Sequence, residues 1–532
     1  MADVMDWIFE WPAQLSGGAV INWLLLDRFT TPLGPGDINA TLSEPSGHVR
    51  TVTDTALNAV ITGGQFKVTA IAGLRDPWLR YTTGWARGAG RMLKFEYFAN
   101  LAADNTWLVG AATTLTTPDA SQTLGILGQT ATISAQPINT RIASYTPGTL
   151  TDVKIILRSI GHFTVINNTL HHIYRLNNAA IVYPHAMGRS VDAACDLRVD
   201  NAGIADLPLT NPTLFPTPTL SDTFSDTVAP LITDGLAHIE AGGVNGAGLT
   251  WEGVGSFSNL GNKGYIAPTP GSDVVVNGAF AADTNWTHDA SWTIAAGVAT
   301  HAPGTNTLLS QAVPPLILNV FYRSSFTVTT FVAGIFSLRY GTVEGAYRAS
   351  AAVFNETKRA MGSSAFAVWP NVTANGAIDN VSVLPLTFAD CLRVVSPALA
   401  NEYYPAVKMT ITSDTQAGMV INLDDFTTPA NCIHVWYDRV DAKIYARELA
   451  AGVWSADKLA GVAATYSAGA YLEVRRIGDV VTAFYNGAYV GEWTTTLTSA
   501  NTKVALFSTD AASYFEGVEG FPTNVYSYAA YA

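Results

Sequence analysis

The chain has 532 residues, 48% of them hydrophobic and 13% charged, with a formal net charge of −13. Soluble proteins carry about 25% charged residues, so a surface this poor in charge is expected to meet other subunits, and the chain to form homo-oligomers. The acidic balance and the lack of any Lys/Arg run exclude a nucleic-acid partner, whose backbone needs clustered cations.

Residues 1–23 hold Trp7, Ile8, Phe9, Trp11 and Trp23 around Gly17 and Gly18. The segment has no basic start and carries acids within its apolar stretch, so it does not read as a secretory signal. Exposed, it would promote aggregation. It is read as an anchor that docks on a neighbouring protein, the alternative being that it packs on its own first domain.

From residue 24 onward almost everything reads as β. Short runs rich in Val, Ile, Thr, Tyr and Phe alternate with Gly, Pro, Asn and Asp, as in Ala406–Thr412, Ile433–Tyr437 and Lys503–Ser508. No stretch sustains a helical period. The most apolar window, Pro314 to Leu338, is interrupted by Arg323-Ser-Ser325 and alternates like strands, so membrane insertion is not expected. The predicted fold class is all-β, in several jelly-roll β-sandwiches.

Two segments repeat each other. Lys154-Ile-Ile-Leu-Arg-Ser-Ile-Gly-His-Phe-Thr-Val-Ile-Asn-Asn168 reads against Leu472-Glu-Val-Arg-Arg-Ile-Gly-Asp-Val-Val-Thr-Ala-Phe-Tyr-Asn-Gly487, and upstream of each lies an Asp-x-Phe, Asp27-Arg-Phe and Asp222-Thr-Phe. The first copy spans 24–208. A Pro/Thr linker follows at 209–218, stiff and extended by composition. The piece after it is too short to bury a core, while the piece from 387 to 532 has the hairpin but no Asp-x-Phe opening. Joined, 219–271 and 387–532 match the first copy in length, which makes 272–386 an inserted domain. Three tandem domains is the simpler alternative.

These residues carry a resemblance. Asp222-Thr-Phe, Gly261-Asn-Lys-Gly-Tyr265, Ala417-Gly-Met-Val-Ile421, the 471–487 hairpin and Val504–Ser508 resemble the concanavalin A-like (laminin G-like) sandwich. The first copy resembles it more loosely, through Asp27-Arg-Phe, Gly63-Gly-Gln-Phe66, the 154–168 hairpin and Asp196–Val199. The insert, with Val274-Val-Val-Asn-Gly-Ala-Phe280, Asn285-Trp-Thr, Ser291-Trp-Thr-Ile294 and Ile378-Asp-Asn-Val-Ser-Val383, is similar to the galactose-binding-like jelly rolls of carbohydrate-binding modules. In style the whole resembles virion proteins of tailed bacteriophages. That implies a tail-fibre, tail-surface or capsid-decoration protein of the particle surface, assembled in the host cytoplasm. Its partners would be other virion proteins and a cell-surface glycan. The alternative is a cellular, secreted polysaccharide-binding or glycan-processing accessory protein.

Sugar recognition by a sandwich needs exposed aromatic faces for the sugar's C–H groups and polar neighbours for its hydroxyls. In the insert Trp286, Trp292 and Trp369 are the candidates, with a core position as the bland account of each. Trp436, Tyr437, Trp454 and Trp493 read as core or interface, and Trp78 and Trp85 as part of a long loop from Arg75 to Arg91. The resemblance implies a structural calcium, for which Asp379 is the candidate ligand, although Ala279 and Ala281 stand where acids are often found. No other cofactor is expected.

Catalysis is not expected. No closely spaced acids occupy one strand, Asp424-Asp425 reads as a solvated turn, and His171-His172 belongs to no ligand-spaced set. Cys195, Cys391 and Cys432 read as buried apolar side chains.

Overall fold

Alternation of inward apolar and outward polar residues along short strands is what builds the molecule. The computed structural model describes residues 22–53, 59–68, 78–86, 91–99, 106–112, 123–128, 132–136, 140–144, 146, 148–158, 161–175, 181–189, 196–206, 220–222, 224, 250–254, 256–311, 314–396 and 403–523. Among these, every regular element is a β-strand except one short 3-10 turn, Ala389–Cys391. All the strand pairings described are antiparallel apart from one isolated bridge, Gly341 to Met361. The protein is therefore all-β, built of jelly-roll sandwiches. Residues 1–21 of the anchor segment 1–23, the linker 209–218 and Cys195 lie outside the described residues, whereas Asn22 and Trp23 belong to the strand Asn22–Asp27.

The chain divides into two compact units, residues 1–217 with two short later pieces, and 218–485 with 490–520. In the first unit one sheet runs Thr169–Tyr174, Gly161–Ile166, Thr151–Arg158, Arg91–Ala99, Leu197–Asp206, Gln65–Val68, Ala59–Thr62, with Asn22–Asp27 also pairing Leu197–Asp206. The other runs Thr140–Ser144, Thr132–Gln136, Thr123–Gly128, Thr106–Ala112, Ile181–Arg189, Trp78–Tyr81, Arg50–Thr53. Trp78 thus lies in a strand and is buried, contrary to the loop expected there. The non-local partner Ile181–Arg189 holds it, which local composition does not reveal.

The second unit contains two sandwiches. The larger has one sheet ordered Ala488–Thr494, Val480–Tyr485, Ala470–Ile477, Tyr403–Thr410, Tyr514–Pro522, Gly264–Ala267, Ser256–Asn259, with Leu220–Asp222 also pairing Tyr514–Pro522. Its other sheet runs Val453–Trp454, Lys443–Ala450, Cys432–Asp438, Gln416–Leu423, Lys503–Ser508, Leu392–Ser396, Thr250–Glu252. Strand for strand this is the order of the first unit. Leu220, Phe224, Trp251, Phe257 and Ile266 share one core with residues from Val395 to Val518. The repeated hairpins pair alike, Ile155 opposite Thr164 and Val474 opposite Ala483.

Between Gly264–Ala267 and Leu392–Ser396 the chain makes a smaller sandwich. Its five-stranded sheet is Trp292–Ala295, Val298–His301, Asn375–Leu386, Phe321–Ala333, Ala352–Arg359, and its four-stranded sheet is Leu309–Gln311, Phe366–Pro370, Phe336–Tyr340, Val343–Glu344. The two ends of this module meet side by side, for Pro270 bridges Leu386 and the Gly271 amide donates to the Pro385 carbonyl over 2.8 Å.

The module is seated on the outer face of the larger sandwich. Phe321 and Leu386 join Val420, Cys432, Trp436 and Phe507 in a second apolar cluster, where each fully buried side chain contributes about 1.5–3 kcal/mol. Around that cluster lie buried ion pairs, Lys358 with Asp438 at 2.9 Å and Arg359 with Asp457 at 2.5 Å. Arg348 reaches Asp414 at 2.7 Å. Removing one partner of such a buried pair leaves the other charge uncompensated, so the seat is specific as well as greasy.

Candidate functional site

The outer face of the module's four-stranded sheet gathers the residues suited to bind a ligand. On Phe336–Tyr340 the residues Phe336, Leu338 and Tyr340 enter the core, so Ser337 and Arg339 face outward. On Phe366–Pro370 Phe366 and Val368 point inward, and Trp369, half-buried, stands outward opposite Ser337. Gly341, at φ 74°, turns the chain where a Cβ would strike the Met361 and Ser363 backbone, and returns it as Val343–Glu344. This brings Glu344 opposite Arg339.

The chain then folds back over the sheet edge and presents Tyr347. Arg348 exchanges both backbone hydrogen bonds with Phe336, and Ser337 Oγ donates to the Gly345 carbonyl over 3.1 Å. Tyr347, 59% exposed, stands with its ring 5.9 Å from that of Trp369 and tilted by 41°. Its hydroxyl donates to Glu344 Oε2 over 2.7 Å. That bond, followed by the Arg339 guanidinium, holds the Glu344 carboxyl below its usual range. Arg339 Nε donates to Glu344 Oε1 over 3.2 Å, and its guanidinium lies 5.9 Å from the Trp369 ring centre.

Beneath the loop sits Glu356, buried, accepting from Tyr340 Oη, the Ala346 amide and Arg348, each over 3.0 Å. Burial pushes its carboxyl pKa up. A side chain on Gly345 would have to displace this carboxylate from its three donors. The result is two accessible aromatic rings beside a guanidinium and a carboxylate on a braced loop. Aromatic faces can take sugar C–H groups, and the Arg339 and Glu344 heads can donate to and accept from hydroxyls.

Of the three tryptophans expected at a site, Trp369 alone is in it. Trp286 and Trp292 are in the core, where buried rings have no face to offer a ligand. Their indole N–H groups are spent on the Asn277 carbonyl at 3.1 Å and the Thr307 carbonyl at 2.8 Å. Period-2 alternation makes a strand but does not by itself say which face is wet. Tyr347, Arg339 and Glu344 went unnoticed in the sequence. The signal available was Phe336-Ser-Leu-Arg-Tyr340, whose alternation sets Arg339 against three inward apolar residues.

The two oxygens of Asp379, the candidate calcium ligand, accept from the amide and the side chain of Asn380. Among the described residues no three His, Cys, Asp or Glu side chains gather as metal ligands. Asp425 caps its own turn through the amides of Thr427 and Thr428, and these contacts, led by the Thr427 hydroxyl, lower its pKa to about 2. Trp436, Tyr437 and Trp493 are buried, and the Arg447 guanidinium covers half-buried Trp454 at 3.6 Å.

No protein-family model matches the chain, and no curated protein matches its sequence. Solved structures similar to parts of it include the carbohydrate-binding module CBM66 of Bacillus subtilis, 15% identical over 24% of this chain and 80% of that one, with a TM-score of 0.21. Galectin LEC-6 of Caenorhabditis elegans is 16% identical over 23% of this chain and 84% of that one, at 0.19. The carbohydrate recognition domain of Emp47p is 8% identical over 35% and 98%, at 0.26. None of these likenesses transfers a ligand or a residue role.

Proposed function

We propose that the chain is a glycan-binding structural protein on the particle of a tailed bacteriophage, in the tail or as a capsid decoration, and that the inserted module makes the glycan contact. The observation that carries the binding part is the pair of exposed Tyr347 and half-buried Trp369, set beside the Arg339–Glu344 pair on one sheet face. Single contacts of this size bind weakly, and many copies on one particle strengthen them. The poorly charged surface of the chain supports a place within an assembly.

Glycan-array binding of the full chain tests the first part. Tyr347→Ala and Trp369→Ala should each lower affinity about tenfold, a loss of about 1.4 kcal/mol. Thermal unfolding should barely move for the exposed Tyr347. Binding that survives both substitutions would remove the module from the role. Mass spectrometry of purified particles tests the second part, and its failure there would favour a secreted cellular glycan-binding protein.

A further inference from the structure

We infer that the larger sandwich of the second unit carries a separate ligand face that takes an anionic glycan, a sugar ring lying over Tyr265 and Tyr514 and its acid group against Lys263. Ile266 and Phe515 enter the core, so alternation sends Tyr265 and Tyr514 to the outer side of their sheet. They are paired directly across neighbouring strands, and their half-buried rings lie 5.6 Å apart at 51°.

Lys263 is delivered by a tight hairpin turn. Gly261 and Asn262 both have positive φ, 62° and 61°, as two-residue hairpin turns require, and the Leu260 amide donates to the Lys263 carbonyl over 3.0 Å. Its ammonium stands 4.0 Å from the centre of the Tyr514 ring. Among the described residues no carboxylate lies within ion-pair distance of Lys263, whereas neighbouring Lys408 is answered by Glu516 at 3.7 Å. The Lys263 ammonium, beside the Tyr514 hydroxyl and in the more distant field of Glu516, therefore stands with no carboxylate in ion-pair contact next to two aromatic rings, on a chain whose net charge is −13. A neutral sugar would use the rings and waste the ammonium; an anionic one uses both.

The face shares no residue with the module's site, so each can fail alone. Electrophoresis of the full chain through gels containing polygalacturonate, dextran sulfate or neutral dextran reads the effect. Retardation is expected in one or both anionic gels and not in dextran, the responding gel telling carboxylate from sulfate. Lys263→Gln and Tyr265→Ala should each weaken it at least fivefold, Tyr514→Phe should preserve it, and Tyr347→Ala should leave it unchanged. No retardation in either anionic gel, or retardation that survives Lys263→Gln, would overturn the proposal.

Discussion

At one corner of the first sandwich the Asp27 carboxylate accepts from the Phe29 amide, from Arg50 at 2.7 and 2.6 Å, and from the Tyr81 hydroxyl at 2.8 Å. At the same corner of the larger sandwich in the second unit, Asp222 accepts from the Phe224 amide at 2.7 Å and from the Trp251 indole at 2.7 Å. Both phenylalanines have positive φ, 51° and 55°, and both rings are buried. The shared part is thus a backbone demand: an aspartate must hold a strained turn that drives Phe inward. The divergent part lies in the donors to the buried carboxylate, which include an arginine in one copy and a neutral indole in the other. A fold can keep the first and vary the second, because any well-placed donor satisfies an acceptor.

The sharpest way to break this comparison is to remove the charged donor. Arg50→Met strands the Asp27 carboxylate and should cost the first sandwich about 3–5 kcal/mol. Region-resolved hydrogen exchange should show residues 22–206 opening sooner while strands of 403–520 hold. Equal loss of protection in both would mean the corners do not act independently.

Acid supplies the next effect. Each copy contains a buried histidine whose charge is disfavoured by its surroundings: His185, lowered to about 4 in the first, and His434, lowered well below its usual range in the second. His434 is wedged among Trp436, Phe507 and Phe388, with neither ring nitrogen hydrogen-bonded, and the charges nearest it are Arg447 and the module's Arg359. The folded state therefore binds fewer protons than the unfolded one below pH 6.5, so stability falls with pH through that window. For His185 the loss between pH 6.5 and 4 should total about 3 kcal/mol, from 1.36 kcal/mol per unit. His185→Phe should weaken the acid response of the first sandwich alone, and His434→Phe that of the second, as melting temperature against pH would show.

The smallest effect expected is from the neutral donor. Trp251→Phe keeps the ring but leaves Asp222 short of a hydrogen bond, a cost of about 1–3 kcal/mol. Chemical denaturation should show a loss smaller than that of Arg50→Met. A larger one would mean the indole is the stronger answer.

The all-β class was legible in the sequence because period-2 runs and Gly/Asn turns are local. So were the hairpins at Lys154 and Leu472, whose Gly161 and Gly478 both take positive φ. The site was less so. Trp286 and Trp369 look alike along the chain, and the four-stranded sheet decides which one is wet. Tyr347 lies outside any strand, and its presentation rests on Glu356 and, through Arg348, on Asp414, contacts spread over more than sixty positions. No local pattern encodes such a brace.

The adjacency of Pro270 and Leu386 has an evolutionary consequence. Because entry and exit are a single rung apart, the intervening stretch is a cassette: a different recognition unit with the same two-ended stem could be spliced in without redrawing the scaffold. Recombination among relatives would then retune what is recognised, provided the newcomer also brought an aromatic plug for the place of Phe321 and cations for Asp438 and Asp457.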